Sequence, residues 1–154
     1  MNELPTSKGL LWISTILLCV VIIAMSGCFG LFDSSGDIIV GKYNVGWIDV
    51  ISSRAICLAD KYGEYGGGVK VPAYVYAVGH NDRFIVAKQH PLIDPQKEVV
   101  DTRITNYFII DMSKDDIYRG KGVSGPLTKV QFDSLCKKYD MQGIEFDKTY
   151  PENL

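Results

Sequence analysis

The sequence of 154 residues carries 16 Lys and Arg against 18 Asp and Glu, a formal net charge of −2, and 47% hydrophobic residues. That length suits one folded domain with a sizeable core. The near-neutral balance, with no basic cluster, argues against a nucleic-acid partner and against a polybasic grip on lipid head groups.

The chain opens with "MNELPTSK", and Gly9 to Phe32 then carry no charged side chain. A charged start, an apolar core and a boundary of small residues describe a secretory signal. The apolar run "LLWISTILLCVVIIAM", if helical at ~1.5 Å per residue, reaches about 24 Å, short of the ~30 Å hydrocarbon layer. Continued through Phe32 the helix would reach about 36 Å, so length alone leaves an uncleaved single-pass anchor as the alternative. The composition of "AMSGC" separates the two. Ser26 and Gly27 are small, as a protease holding an extended segment requires, Cys28 follows, and Gly30 discourages a continuing helix.

This stretch resembles the lipobox of bacterial lipoproteins, with Met25 where a branched aliphatic residue is usual. The resemblance implies cleavage between Gly27 and Cys28, diacylglycerol on the Cys28 sulfur and a further acyl chain on the new amino terminus. More than one acyl chain makes a stable anchor. The expected organisation is a signal peptide over 1–27, a lipidated cysteine and tether over 28–39, an extracytoplasmic domain over 40–148 and a tail over 149–154. The expected location is the cell envelope, on the extracytoplasmic side of the membrane. Phe29, where an inner-membrane lipoprotein often has Asp, points to the outer membrane where there are two. Removing 1–27 takes away Lys8 and Glu3 together, so the charge of the mature chain is unchanged.

Along the mature chain, "FGLFDSSGD" (29–37) reads as tether. "KYNVGWIDVI" and "SRAICLAD" read as strands rich in β-branched and aromatic residues. "KYGEYGGGVK" has glycines but no Gly-Lys-Ser/Thr and no helix pattern after it, so it is a surface loop rather than a phosphate cradle. "VPAYVYAVGHNDRFIVAKQHP" is two strand-forming runs about His80-Asn81-Asp82, a hairpin. "PLIDPQKEVVD" reads as irregular. "TNYFIIDMS" is a strand that "SKDD" turns back into "IYRG", and Gly120, Gly122 and Gly125 mark a bent loop.

The period then changes. Phe132, Leu135, Cys136 and Tyr139 share one helical face, predicting a helix over 129–139. Thr128 is the expected N-cap with Gln131 completing a capping box, and Leu127 and Phe132 form a hydrophobic staple. "GIEF" reads as a brief last strand before a frayed tail.

Chemistry-bearing residues are sparse. His80 and His90, at the turn and beyond the far end of the hairpin, should be surface or loop histidines roughly 30 Å apart that share no metal. Asp111 is the one acid in an apolar strand; burial would raise its pKa, and the favoured reading places it on the solvated face or at the strand's end near the turn. Cys57 and Cys136 can form a disulfide outside the cytoplasm, but their apolar settings fit small buried thiols better. Trp47, Tyr74, Tyr76, Tyr107, Phe108 and Tyr118 fall on the expected strands and most belong in the core; in a sheet with one exposed face, Tyr74 and Tyr76, which share a strand face, are the candidates for an aromatic binding patch. No catalytic signature occurs; no cofactor is expected besides the Cys28 lipid.

"FIVAKQHP", "TNYFIIDMSKDDIY" and "GPLTKVQFDSL", following a lipobox, together resemble an uncharacterised family of small bacterial lipoproteins of about this length. The resemblance covers most of residues 40 to 139 and brings no activity with it. The expected fold is α+β: an antiparallel β-sheet meander with one C-terminal helix packed on it. The expected role is non-enzymatic binding of a protein in the envelope, as inhibitor or immunity lipoproteins do. The competing class is a small envelope hydrolase or transferase, which would need a pocket that collects an acid with His80 or His90.

Overall fold

The computed structural model describes residues 34–48, 50–59, 68–94, 99–115 and 120–151. The leader with Gly27 and Cys28, most of the Gly-rich loop and "IYR" lie outside the described residues.

Strands β1 (Ser34–Val40), β2 (Tyr43–Ile48), β3 (Ala55–Leu58) and β4 (Val69–Val71) form a 4-stranded sheet in chain order. Strands β5 (Val75–His80), β6 (Phe84–Gln89), β9 (Asn106–Asp111), β10 (Val123–Leu127) and β11 (Lys148–Thr149) form a second sheet in the order β10-β9-β6-β5-β11. Strands β7 (Leu92–Asp94) and β8 (Val99–Val100) pair separately, between β6 and β9 in sequence. All pairings are antiparallel. One helix, α1 (Lys129–Lys138), follows β10. The α+β meander with a C-terminal helix is therefore the fold.

Strand alternation explains the layers. Tyr43, Val45, Ile56, Leu58 and Val71 of the first sheet pack with Val75, Val78, Ile85, Ala87, Phe108 and Ile110 of the second in one cluster. On the far face of the second sheet, Phe84, Val86 and Ile109 meet Phe132, Cys136 and Met141 from α1 and its exit. The second sheet is thus covered on both sides, which is why "FIVAKQ" reads as a nearly unbroken apolar run rather than an alternation. Gly79 fits this packing: a Cβ there would lie 1.8 Å from the Glu145 carbonyl oxygen, where the chain leaving α1 crosses β5.

Local signals held where they were local. Asn81 Oδ1 accepts from the Arg83 and Phe84 backbone N–H groups, closing the expected hairpin turn. Thr128 and Gln131 form the reciprocal capping box, and Leu127 packs on the cluster containing Phe132. Four expectations change. The tether's last residues, Ser34 to Asp37, belong to β1, because they pair in continuous register with Ile48 to Val45 of β2, the register shifting only between Ile38 and Val40. The bent glycine loop contains β10, which pairs with β9 around a register shift that absorbs Gly125 and Pro126. "PLIDPQKEVVD" holds the small β7–β8 hairpin. The last strand is Lys148–Thr149 rather than "GIEF", and the expected tail is tied down: Tyr150 Oη donates to Asp37 Oδ2 at 2.9 Å, and Arg54 donates to the Pro151 carbonyl.

Candidate functional site

Strand β9 begins in an apolar cleft and ends among charges. The cleft, about 440 Å³, is walled by Pro72, Ala73 and Tyr74 from the β4–β5 connection, by Pro91 and Leu92 after β6, and by Phe108, Gly125 and Pro126. Gln89 and Asn106 also line it. They are direct cross-strand partners on β6 and β9. Asn106 Nδ2 donates to Gln89 Oε1 at 3.0 Å, and Gln89 Nε2 donates to the Ala73 carbonyl at 2.9 Å. A buried amide left unpaired is costly, so this chain of bonds fixes the Gln89 side chain.

The walls are set by backbone geometry. Tyr74 has φ +71° and is buried, and its carbonyl accepts from the His90 N–H. A bulky residue at positive φ persists only where its surroundings over-determine it. Gly125, joined to Pro126 by a cis peptide bond, sits against Phe108, where a Cβ would lie 2.2 Å from the ring's Cδ1. Nearby, Tyr76 stacks on His90 with centroids 4.3 Å apart and donates to or accepts from Thr105 Oγ1. His90 is buried, with Nδ1 2.7 Å from the Ile104 carbonyl.

At the other end of β9, Asp111 accepts from Arg83 Nη2 at 2.9 Å and Nε at 3.2 Å, and from Ser113 Oγ at 2.6 Å, with Lys114 Nζ 3.2 Å away. The Arg83 hydrogen bonds hold its carboxyl well below the usual carboxylate range, outweighing burial. Beyond it, Asp115 accepts from Lys70 Nζ at 2.8 Å and from the Tyr43 hydroxyl at 2.8 Å. Burial first, then the Asp115 carboxylate, push the Tyr43 phenol far up.

These positions correct several expectations. Tyr74 and Tyr76 do not form an exposed strand-face patch: Tyr74 precedes β5 at positive φ and is buried, and the register shift between Val75 and Ala77 breaks the alternation at Tyr76. Tyr74 instead lines the cleft. His90 does lie in the connection after β6, but it is packed rather than exposed, held by the Tyr76 stack. Asp111 is neither solvated nor raised in pKa, since Arg83, Ser113 and Lys114 compensate its burial, and no histidine is among its partners. Cys57 on β3 and Cys136 on α1 are free and buried, and burial pushes both thiols up. Among the described residues no group of three or more His, Cys, Asp or Glu is placed to hold a metal ion.

Gln89 and Asn106 were not singled out from sequence. Each lies in a quoted stretch, "AKQH" and "TNYF", and the third stretch, "GPLT", supplies Gly125 and Pro126. All three stretches meet at this one cleft. Their separation along the chain hid the convergence.

Fold and site define a small α+β domain in which, among the described residues, two larger antiparallel sheets pack together with the α-helix α1 and an apolar cleft lies at one end of β9. The chain belongs to the protein family of unknown function DUF3997, whose model matches residues 42–150. No curated protein and no solved structure matches it.

Proposed function

We propose that the chain is a lipid-anchored binding protein of the bacterial cell envelope, held at the membrane through Cys28, whose cleft takes an extended segment of a protein partner. The anchor rests on "AMSGC". The binding role rests on the chemistry of the cleft: its lining is apolar apart from the Gln89 and Asn106 side-chain amides, with no carboxylate, histidine or cysteine. Asn106 commits one donor hydrogen to Gln89, and its Oδ1 and second N–H remain to meet a peptide group, which needs one acceptor and one donor. The volume falls within the ~300–1,000 Å³ of ligand sites and accommodates a partner's apolar side chain. Acid/base chemistry of the hydrolase type finds no acid–histidine pair in this lining.

Two measurements test the two halves. Intact mass and the amino-terminal peptide of membrane-extracted protein should give a chain starting at acylated Cys28. An unmodified Cys28 behind an intact Met1 would replace the lipid anchor with a membrane-spanning helix. For the cleft, a photocrosslinking side chain at Leu92 in intact cells should capture a partner that the same group at Val130, 78% exposed on α1, does not. Ala73→Trp, which fills the cleft, should abolish the adduct. Equal capture at both positions, or an adduct indifferent to Ala73→Trp, would remove the cleft from the reading.

A further inference from the structure

The Lys70–Asp115 pair belongs to no part of the cleft, and its setting is unusual for an ion pair. The two side chains are 2% and 1% exposed, with Nζ 2.8 Å from Oδ1. Tyr43, whose ring is part of the sandwich core, donates its hydroxyl to the other carboxylate oxygen at 2.8 Å. Lys70 sits on β4 where the register with β3 shifts, between the pairs Ile56–Val71 and Cys57–Val69. Asp115 is held from the other side, because Gly122 packs so closely that a Cβ there would lie 2.9 Å from the Asp115 backbone nitrogen.

We propose that Lys70 and Asp115 condense in the folded domain into an intramolecular isopeptide bond. One proton passes from the Lys70 ammonium to the Asp115 carboxylate, and the free amine attacks Asp115 Cγ. The Cγ–Nζ bond forms, a Cγ–O bond breaks and the oxygen leaves as water. An ammonium and a carboxylate become one amide and one water, with no change in oxidation state and no co-reactant. The Tyr43 hydroxyl stands where charge gathers on the second oxygen of the tetrahedral intermediate, the place of an oxyanion donor.

In bulk water this condensation is unfavourable, because hydration stabilises both ions. The buried site removes that hydration. It also holds the reacting groups in contact, and effective molarities for well-oriented pairs reach roughly 10⁵–10⁸ M. The amide would be uncharged, which suits a buried position better than two ions. It would tie β4 of the first sheet to the turn after β9 of the second, residues 45 apart in sequence, in a domain whose two described cysteines are free.

The test is peptide mapping of the full chain, extracted from membranes and denatured before digestion. The expected result is a branched peptide joining Lys70 to Asp115, lighter by one water than its two arms, with no tryptic cleavage after Lys70. Normal cleavage after Lys70, with the Asp115 peptide at its full mass, would reduce the pair to an ordinary buried ion pair. A branch from Lys70 to any other residue would also overturn the assignment. These readings use the unaltered protein and do not depend on a variant folding. Tyr43→Phe tests the hydroxyl: the branched peptide should form about 10²-fold more slowly after a pulse of synthesis, the order of effect of one lost oxyanion donor. An unchanged rate would take Tyr43 out of the reaction.

Discussion

At one end of the β6–β9 ladder, Gln89 faces Asn106 through uncharged amides; just past the other, Arg83 grips Asp111. Both join polar groups at the margin of the core, and the difference lies in what surrounds them. The amide pair borders an apolar cleft and can meet a further polar group without changing charge. The ion pair has an arginine 51% exposed, so solvent screens it, and the deeper Lys70–Asp115 pair beyond it is shut from solvent. One end of the strand borders an open cleft. The other is closed on itself.

Four changes would break or sharpen that contrast. The largest effect is expected from Lys70→Met, which removes the ion pair together with any amide formed from it and strands the Asp115 carboxylate in a dry site; it should lower unfolding stability by at least about 3–5 kcal/mol in urea titration. A loss under about 1 kcal/mol would mean that the charged end is far wetter than its geometry. Gly125→Ala comes next. It forces a side chain into the Phe108 ring at φ +153°, and about 2–4 kcal/mol of destabilisation is expected from the shifted Tm. Gln89→Ala should cost about 1–3 kcal/mol by leaving the Ala73 carbonyl and the Asn106 amide unpaired, and should weaken photocapture at Leu92 as well. If stability falls and capture does not, the amide pair is scaffolding only.

The smallest effect is one of pH. Asp111 has a folded-state pKa depressed below its ordinary 3.8, so the folded state resists its protonation. Its contribution to stability is fully present above that ordinary value and is lost as pH falls below it toward the depressed one. Arg83→Gln should therefore lower stability modestly at neutral pH, leave it little changed at the acid end, and so flatten the limb of a stability profile recorded below about pH 5. An acid limb identical to that of the unaltered protein would show that Arg83 does not set the Asp111 titration.

What the sequence made legible was local. The capping box of Thr128 and Gln131, the staple of Leu127 and Phe132, and the Asn81 turn each depend on residues close in sequence, and each stands in the structure. What escaped was set by distant partners. β1 was hidden in a polar tether because its register comes from β2, and the tail was read as frayed because its anchor, Asp37, lies 113 residues before Tyr150. Tyr74 was misplaced by a positive φ that no side chain announces. The cleft was invisible for the same reason: Ala73, Gln89, Asn106 and Gly125 meet only after both sheets have formed.

The bond between Tyr150 and Asp37 has an architectural corollary. With Lys148 also gripping Asp37 and the Ile38 carbonyl, the beginning and the close of the domain are hydrogen-bonded neighbours. Such proximity makes the chain a natural subject for circular permutation: a short flexible linker from residue 151 to residue 34, with new ends opened at the exposed Asp82 in the β5–β6 turn, should preserve both sheets. It would also separate the domain's architecture from the apolar segment that precedes it, so that folding and the proposed anchoring could be studied apart.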